Sequence, residues 1–239
     1  MKQNRRKRAL WITALLLLAL TAGFFLYAAV YYRADQTALD ALRSDGRVQV
    51  SPMDYGWFFD GPGETGALIF YPGGKVEETA YAPLLRLLAE QGTDVCLVKM
   101  PLRLAVLAPN RAEKVLAAHE YAEWSIGGHS LGGAMAADFA AKHPGRFRSL
   151  VLLAAYPTRA LDPELRVLSV YGSEDGVLNR EKLREGEQYF PENVQICVIP
   201  GGSHAGFGSY GPQRGDGAAL ISPEEQWAET AALIREALG

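Results

Sequence analysis

The sequence predicts an α/β protein with a mostly parallel sheet. Three observations carry this. Short apolar runs alternate with helix-patterned segments along most of the chain. The run Ala67-Leu68-Ile69-Phe70-Tyr71 is continuously apolar, as a strand covered on both faces must be. Glycine- and proline-rich turns, such as Pro72-Gly73-Gly74, close the runs.

The elements follow in order. Residues 34–43 have the composition of a short helix. Val48 to Met53 and Trp57 to Asp60 read as two strands joined at Asp54 to Gly56, and Gly61-Pro62-Gly63 breaks the chain. After the apolar run at 67–71, Glu78 to Glu90 carries Tyr81, Leu84, Leu85 and Leu88 at helical spacing. Asp94 to Lys99 reads as a strand and Arg111 to His119 as a helix. Trp124-Ser125-Ile126 precedes a glycine-rich turn, and Gly133 to Lys142 is a small-residue helix. Leu150 to Ala154, Val167 to Tyr171 and Val194 to Ile199 are further strands. The C-terminal helix opens at Ser222-Pro223-Glu224-Glu225, a capping box with proline at the first helical position. Its apolar face is Trp227, Ala231, Ile234 and Leu238, and Gly239 follows the last turn.

The N-terminus has a different character. Lys2, Arg5, Arg6, Lys7 and Arg8 precede Ala9 to Tyr32, a run without a charged residue. At about 1.5 Å per residue this run is long enough to cross a hydrocarbon core of about 30 Å. Trp11 at one end and Tyr27, Tyr31 and Tyr32 at the other match the aromatic belts of membrane interfaces. The division expected is a basic cytoplasmic tail (1–8), a transmembrane signal-anchor (9–32), a juxtamembrane connector (33–45) and a globular domain outside the cytoplasm (46–239), whose chemistry follows below. A signal peptide cleaved near Thr21-Ala22-Gly23, giving a secreted protein, is the alternative. The apolar run continuing past that site favours the anchor.

Six of the 24 Lys and Arg residues lie in positions 1–33, with no Asp or Glu there. The rest of the chain carries 18 cations against 27 anions, a formal charge of −9. This favours solubility and argues against nucleic acid as a partner. The two cysteines, Cys96 and Cys197, each sit inside an apolar strand-like run and are expected to be buried. No metal-ligand spacing occurs and no cofactor is implied.

The chemistry starts at Gly128-His129-Ser130-Leu131-Gly132, a Gly-x-Ser-x-Gly between a strand and a helix. Such a turn is tight enough to require glycine near the serine, and it places the hydroxyl at a helix N-terminus. Serine is a poor nucleophile at neutral pH and needs a base, and the base needs an orienting acid. His204, in the loop after the last strand, is the one histidine downstream of both Ser130 and a credible acid. His129 reads as a packing or supporting group, and His119 and His143 as helix-end residues. The acid belongs in Gly172-Ser173-Glu174-Asp175-Gly176. Asp175 is the first choice, Glu174 the second and Asp162 the third. The oxyanion donors are the N–H of Leu131 and one from Gly74, Gly73 or Lys75. Phe207 and Tyr210 are candidates for an apolar wall of the substrate site.

These motifs resemble the α/β-hydrolase superfamily, and more narrowly its compact dienelactone-hydrolase-like bacterial group. The resemblance spans roughly residues 46 to 238. It rests on Tyr71-Pro72-Gly73-Gly74-Lys75, the Ser130 pentapeptide, Tyr171-Gly172-Ser173-Glu174-Asp175 and Gly202-Ser203-His204. It implies a doubly wound sheet with helices on both faces and a Ser130–His204–Asp175 triad. It also implies hydrolysis, commonly of esters. True dienelactone hydrolases carry a cysteine nucleophile where this chain has serine. Only about 11 residues separate the strands ending at Ala154 and starting at Val167, too few for a large lid domain. A small acyl substrate and a bilayer, held through residues 9–32, are the expected partners. The same triad also serves acyl transfer or amide cleavage, and a non-catalytic surface binding module is the alternative outside enzymology.

Overall fold

The structure, a computed structural model, describes residues 2–63 and 66–238, with residues 2–6, 8 and 9 described by their backbone alone. The chain forms two units, residues 1–31 and 32–239. The first is a single helix, α1 (Lys2–Ala29). Its stretch Leu10–Ala29 has a mean hydropathy of 2.2 over 20 residues, long and apolar enough to cross a membrane. Of the predicted basic block, Lys7 is exposed; the side chains of Lys2, Arg5, Arg6 and Arg8 lie outside the described residues.

The second unit is built on an eight-stranded sheet. Its strands are β1 (Gln49–Met53), β2 (Gly56–Asp60), β3 (Gly66–Tyr71), β4 (Asp94–Val98), β5 (Glu123–His129), β6 (Ser149–Leu153), β7 (Arg166–Gly172) and β8 (Gln195–Ile199). Their spatial order is β1-β2-β4-β3-β5-β6-β7-β8. The pairs β1–β2 and β2–β4 are antiparallel, and every later pair is parallel. The helices of this unit are α2 (Gln36–Asp40), α3 (Ala82–Glu90), α4 (Ala112–Ala118), α5 (Leu131–Lys142), α6 (Arg180–Gly186) and α7 (Pro223–Leu238).

Side chains alternate across a strand, so β3 feeds two cores. Leu68 and Phe70 join Leu84, Leu85 and Leu88 of α3 and Trp227, Ala231 and Ile234 of α7 on one face. Ala67, Ile69 and Tyr71 join Val115 of α4 and Ala136, Ala137 and Phe139 of α5 on the other. Each fully buried leucine or phenylalanine contributes about 1.5–3 kcal/mol. Helices therefore cover both faces, and the sheet is doubly wound. The connection from β6 to β7, residues 154–165, contains no helix or strand, and among the described residues no large lid covers the sheet.

Three sequence expectations change. Residues 33–45, expected as a juxtamembrane connector, belong to the second unit. Tyr32 pairs with Val76 in a parallel bridge, and the Ala34 N–H donates to Glu77 Oε2 at 3.1 Å. Asp35 caps α2 and accepts from the Ser209 hydroxyl at 2.6 Å. Cys197 is half-buried instead of buried because β8 is the edge strand. Its neighbours Ile196 and Val198 are exposed as well. The segment 78–90 is split into a 3-10 turn (Glu78–Tyr81) and α3, with Pro83 in the first turn of the helix.

Candidate active site

The order β4-β3-β5 places β3 and β5 side by side with the chain winding away from them in opposite directions. A crevice at the C-terminal ends of such strands is where open α/β sheets bind ligands. Ser130 stands there, between β5 and α5, with φ 52° and ψ −124°. For a residue with a β-carbon this backbone costs on the order of 1–3 kcal/mol. Two hydrogen bonds hold it: Ser130 N–H donates to Leu153 O at 2.8 Å, and Ser130 O accepts from Ala134 N at 3.0 Å. The flanking glycines are required by contact. A β-carbon at Gly128 would lie 2.5 Å from Tyr71 O, and one at Gly132 would lie 2.2 Å from Pro72 O.

His204 follows β8 and begins a 3-10 turn, Ala205–Phe207. Its Nδ1 lies 2.8 Å from Asp175 Oδ2, and both side chains are almost fully buried. The other oxygen of Asp175 accepts from Val177 N (2.9 Å) and Leu178 N (2.7 Å). These two donors fix the carboxylate, so its free oxygen faces the imidazole. The His204 ring lies 4.4 Å, centre to centre, from that of His129, the neighbour of Ser130. The two alternative acids are engaged elsewhere. Glu174 accepts from the Ser173 hydroxyl at 2.8 Å, and Asp162 caps Gly145 N (2.8 Å) and Glu164 N (3.0 Å).

The backbone donors after β3 are sorted by their partners. Gly73 N–H donates to Tyr81 Oη at 3.1 Å, and Lys75 N–H donates to Arg103 O at 2.9 Å. Among the described residues, the N–H of Gly74 meets no acceptor. Gly74 packs against the residue after the serine: a β-carbon there would come 2.9 Å from Leu131 Cδ2. Leu131 opens α5, so its own N–H is one of the orphan donors of a helix start. Of Gly73, Gly74 and Lys75, Gly74 is the one whose N–H is not engaged among the described residues.

Several supporting residues escape a sequence reading. Asp216 accepts from four backbone donors: Gly176 N (3.1 Å), His204 N (3.2 Å) and Gly217 N (2.9 Å) at Oδ1, and Ala205 N (2.8 Å) at Oδ2. One carboxylate thus ties the Asp175 loop to the His204 loop. Gln226 of α7 holds the other side, accepting from Ser203 N (3.0 Å) and donating to Ser203 O (2.9 Å). Tyr81 Oη lies 2.8 Å from His129 Nδ1, which links the Gly73 turn to the Ser130 turn. Burial holds the His129 pKa well below 6.5, with the nearby His204 adding to the effect, so His129 is neutral at physiological pH.

Phe207 and Tyr210 do not form a substrate wall. Phe207 is fully enclosed and packs on His129, and Tyr210 is buried between Tyr32 and Tyr81. Their rings gain more from the core than from an open site. A cavity of about 520 Å³ lies on the flank of the His204 loop, lined by Ser203, Ala205, Asp216, Gln226 and Trp227 but not by Ser130. Among the described residues no group of three or more His, Cys, Asp or Glu is placed to hold a metal.

Solved structures share this architecture. A dienelactone hydrolase from Anabaena variabilis superposes with a TM-score of 0.56 at 14% identity, covering 80% of this chain and 98% of that one. Est1E from Butyrivibrio proteoclasticus gives 0.56 at 15%, covering 81% and 99%. A membrane phospholipase A described as a bacterial virulence factor gives 0.57 at 14%, covering 97% and 99%. No curated protein matches the chain by sequence. A family model of alpha/beta hydrolases matches residues 67–228, which takes in Gly74, Ser130, Asp175 and His204, and the chain belongs to the alpha/beta hydrolase family.

Proposed function

We propose that this protein is a membrane-anchored serine hydrolase that cleaves a small or flexible carboxylic ester or thioester through an acyl-enzyme. The observation that carries the reading is the buried Asp175–His204 pair, placed one ring contact away from the strained Ser130 turn. The Asp175 carboxylate selects the tautomer with a proton on His204 Nδ1, which leaves Nε2 as the base. Ser130 Oγ attacks the carbonyl carbon as its proton passes to Nε2. The carbonyl oxygen gains the negative charge, and the N–H groups of Gly74 and Leu131 stabilise it. The tetrahedral adduct collapses, and the leaving oxygen or sulfur departs with the proton from Nε2. Water then attacks the acyl-serine by the same sequence, releasing the acid and restoring Ser130.

The short connection between β6 and β7 supports a shallow site open to small acyl groups. Among the fold neighbours are a dienelactone hydrolase and a membrane phospholipase A, which agrees with ester chemistry. The apolar helix Leu10–Ala29 supports anchoring in a bilayer. The N-terminal cations support a cytoplasmic N-terminus, with the catalytic unit on the other side of the bilayer.

The full chain in detergent micelles is expected to hydrolyse p-nitrophenyl butyrate. Ser130→Ala is expected to lower kcat/KM by at least about 10⁴-fold. Undiminished hydrolysis by that variant would overturn the reading.

A further inference from the structure

The stretch that leaves the apolar helix is bonded into both loops of the candidate site. The helix α1 ends at Ala29, and the bonding begins at Tyr32. Tyr32 N–H donates to Lys75 O at 2.8 Å, and Tyr32 O accepts from Glu77 N at 2.9 Å. These two bonds make the parallel bridge between Tyr32 and Val76. Ala34 N–H donates to Glu77 Oε2 at 3.1 Å. Asp35 reaches the other loop. Its N–H donates to Ser209 O at 3.0 Å, and its Oδ1 accepts from the Ser209 hydroxyl at 2.6 Å. Tyr32 Oη accepts from Arg214 N at 3.0 Å, and its ring lies 5.6 Å, centre to centre, from that of Tyr210.

Each loop needs such holding. Lys75 follows Gly74 with a φ of 60°, a left-handed backbone that a residue with a β-carbon keeps only under constraint. Its N–H is bound to Arg103 O at 2.9 Å on one side, and its carbonyl to Tyr32 on the other. Val76 N closes the turn on Gly73 O at 3.3 Å, and Val76 is the residue that Tyr32 bridges. Tyr32 therefore fixes the turn that carries the Gly74 N–H. The loop after His204 runs from Gly208 to Ser222 without a helix or strand. Segments of this kind open locally unless bonds hold them. Ser209 is buried near the start of that run, with its N–H on Ala80 O at 2.7 Å and its carbonyl and hydroxyl on Asp35.

We propose that Tyr32–Asp35 is a positioning strap. It holds the Gly74 turn and the His204 loop at a fixed spacing, so turnover at Ser130 depends on the residues that leave the apolar helix. The proposal rests on the hydrolase reading above for its kinetics and on the bonding alone for its structure. Tyr32, Asp35 and Glu77 act through the loops they hold. Small displacements of an oxyanion donor or a base cost rate, because the reacting groups no longer meet in line.

Two measurements on the full chain in detergent micelles test this. In Asp35→Ala combined with Glu77→Ala, hydrogen exchange read by mass spectrometry is expected to rise at least about fivefold in peptides covering 73–77 and 205–210, with α5 unchanged. With p-nitrophenyl butyrate, the same variant is expected to lose about tenfold in kcat, with KM changing less than about twofold. Asp35→Asn and Glu77→Gln keep an acceptor oxygen in place and are expected to retain both parental values. Ser209→Ala added to Asp35→Ala is expected to cost nothing further, since both remove one bond. Gln36→Ala, whose side chain bonds to Asp40, leaves both readouts unchanged. Where the double variant does not fold, Tyr32→Phe carries the test. It removes one acceptor, and a smaller change in the same direction is expected. Unchanged exchange in the two loops overturns the strap. Faster exchange with undiminished kcat, or a loss borne by KM alone, overturns its role in turnover. If the unsubstituted chain hydrolyses no ester, the hydrolase reading fails, and the exchange comparison alone upholds or overturns the strap.

Discussion

Asp216 illustrates how much of the site depends on a residue that touches no reacting atom. Its two oxygens accept four backbone N–H groups, from Gly176 in the acid loop and His204 and Ala205 in the base loop, and from Gly217. Removing one acceptor oxygen frees the two loops to separate, and small misplacements of catalytic groups are costly. Asp216→Asn is expected to lower kcat by about 10²-fold with KM nearly unchanged, because the carboxylate does not contact the acyl group. Steady-state kinetics on the full chain measures this, and a rise in KM at constant kcat would contradict the positioning role. The Asp175–His204 contact and the turn at Ser130 were legible in the sequence because a serine nucleophile calls for those residue types, in that chain order, after those strands. Asp216 was not. In Gly215-Asp216-Gly217 it has the composition of an ordinary turn, and its partners lie up to 40 residues away in sequence. Phe207 and Tyr210 were misread for the same reason. Closeness to His204 along the chain said nothing about which way the rings fold.

At the scale of elements, strong local signals translated directly. The capping box of α7 forms as written: Ser222 Oγ accepts from Glu225 N at 3.2 Å, and Glu225 Oε2 accepts from Ser222 N at 2.8 Å. The Ser222 N–H hydrogen bond lowers the pKa of Glu225, consistent with an anion at a helix start. Ser222→Ala is expected to lower unfolding free energy by about 1 kcal/mol, read from urea denaturation. A change below about 0.3 kcal/mol would mean the box contributes little beyond solvent. Weak local signals did not translate. The helix α6 buries only Leu183 and Gly186 in seven residues, too thin an apolar stripe to show a 3.6-residue period. The edge position of β8 is a property of sheet order, which a single apolar run cannot reveal, and so Cys197 was expected deeper than it lies.

At the scale of the molecule, the chain divides into an apolar helix and an acidic α/β unit. The boundary at residues 31 and 32 comes from tertiary bonding, with Tyr32 held by Val76 and its hydroxyl accepting from Arg214 N at 3.0 Å. Composition alone could not have placed it there, because Tyr32 continues the uncharged run. If Leu10–Ala29 anchors the protein, alkaline carbonate washing of membranes leaves it in the pellet, and protease added to the extracytoplasmic side degrades the catalytic unit. Release into the wash would contradict the anchor. Anchoring and catalysis are separable claims, and the central one concerns Ser130. Reaction of the full chain with a fluorophosphonate probe, followed by peptide mass spectrometry, tests it most directly. A single label is expected on Ser130, formed about 10³–10⁴-fold more slowly in Asp175→Asn and at an unchanged rate in Glu174→Gln. A label on another serine, or labelling of Asp175→Asn at the full rate, would contradict it.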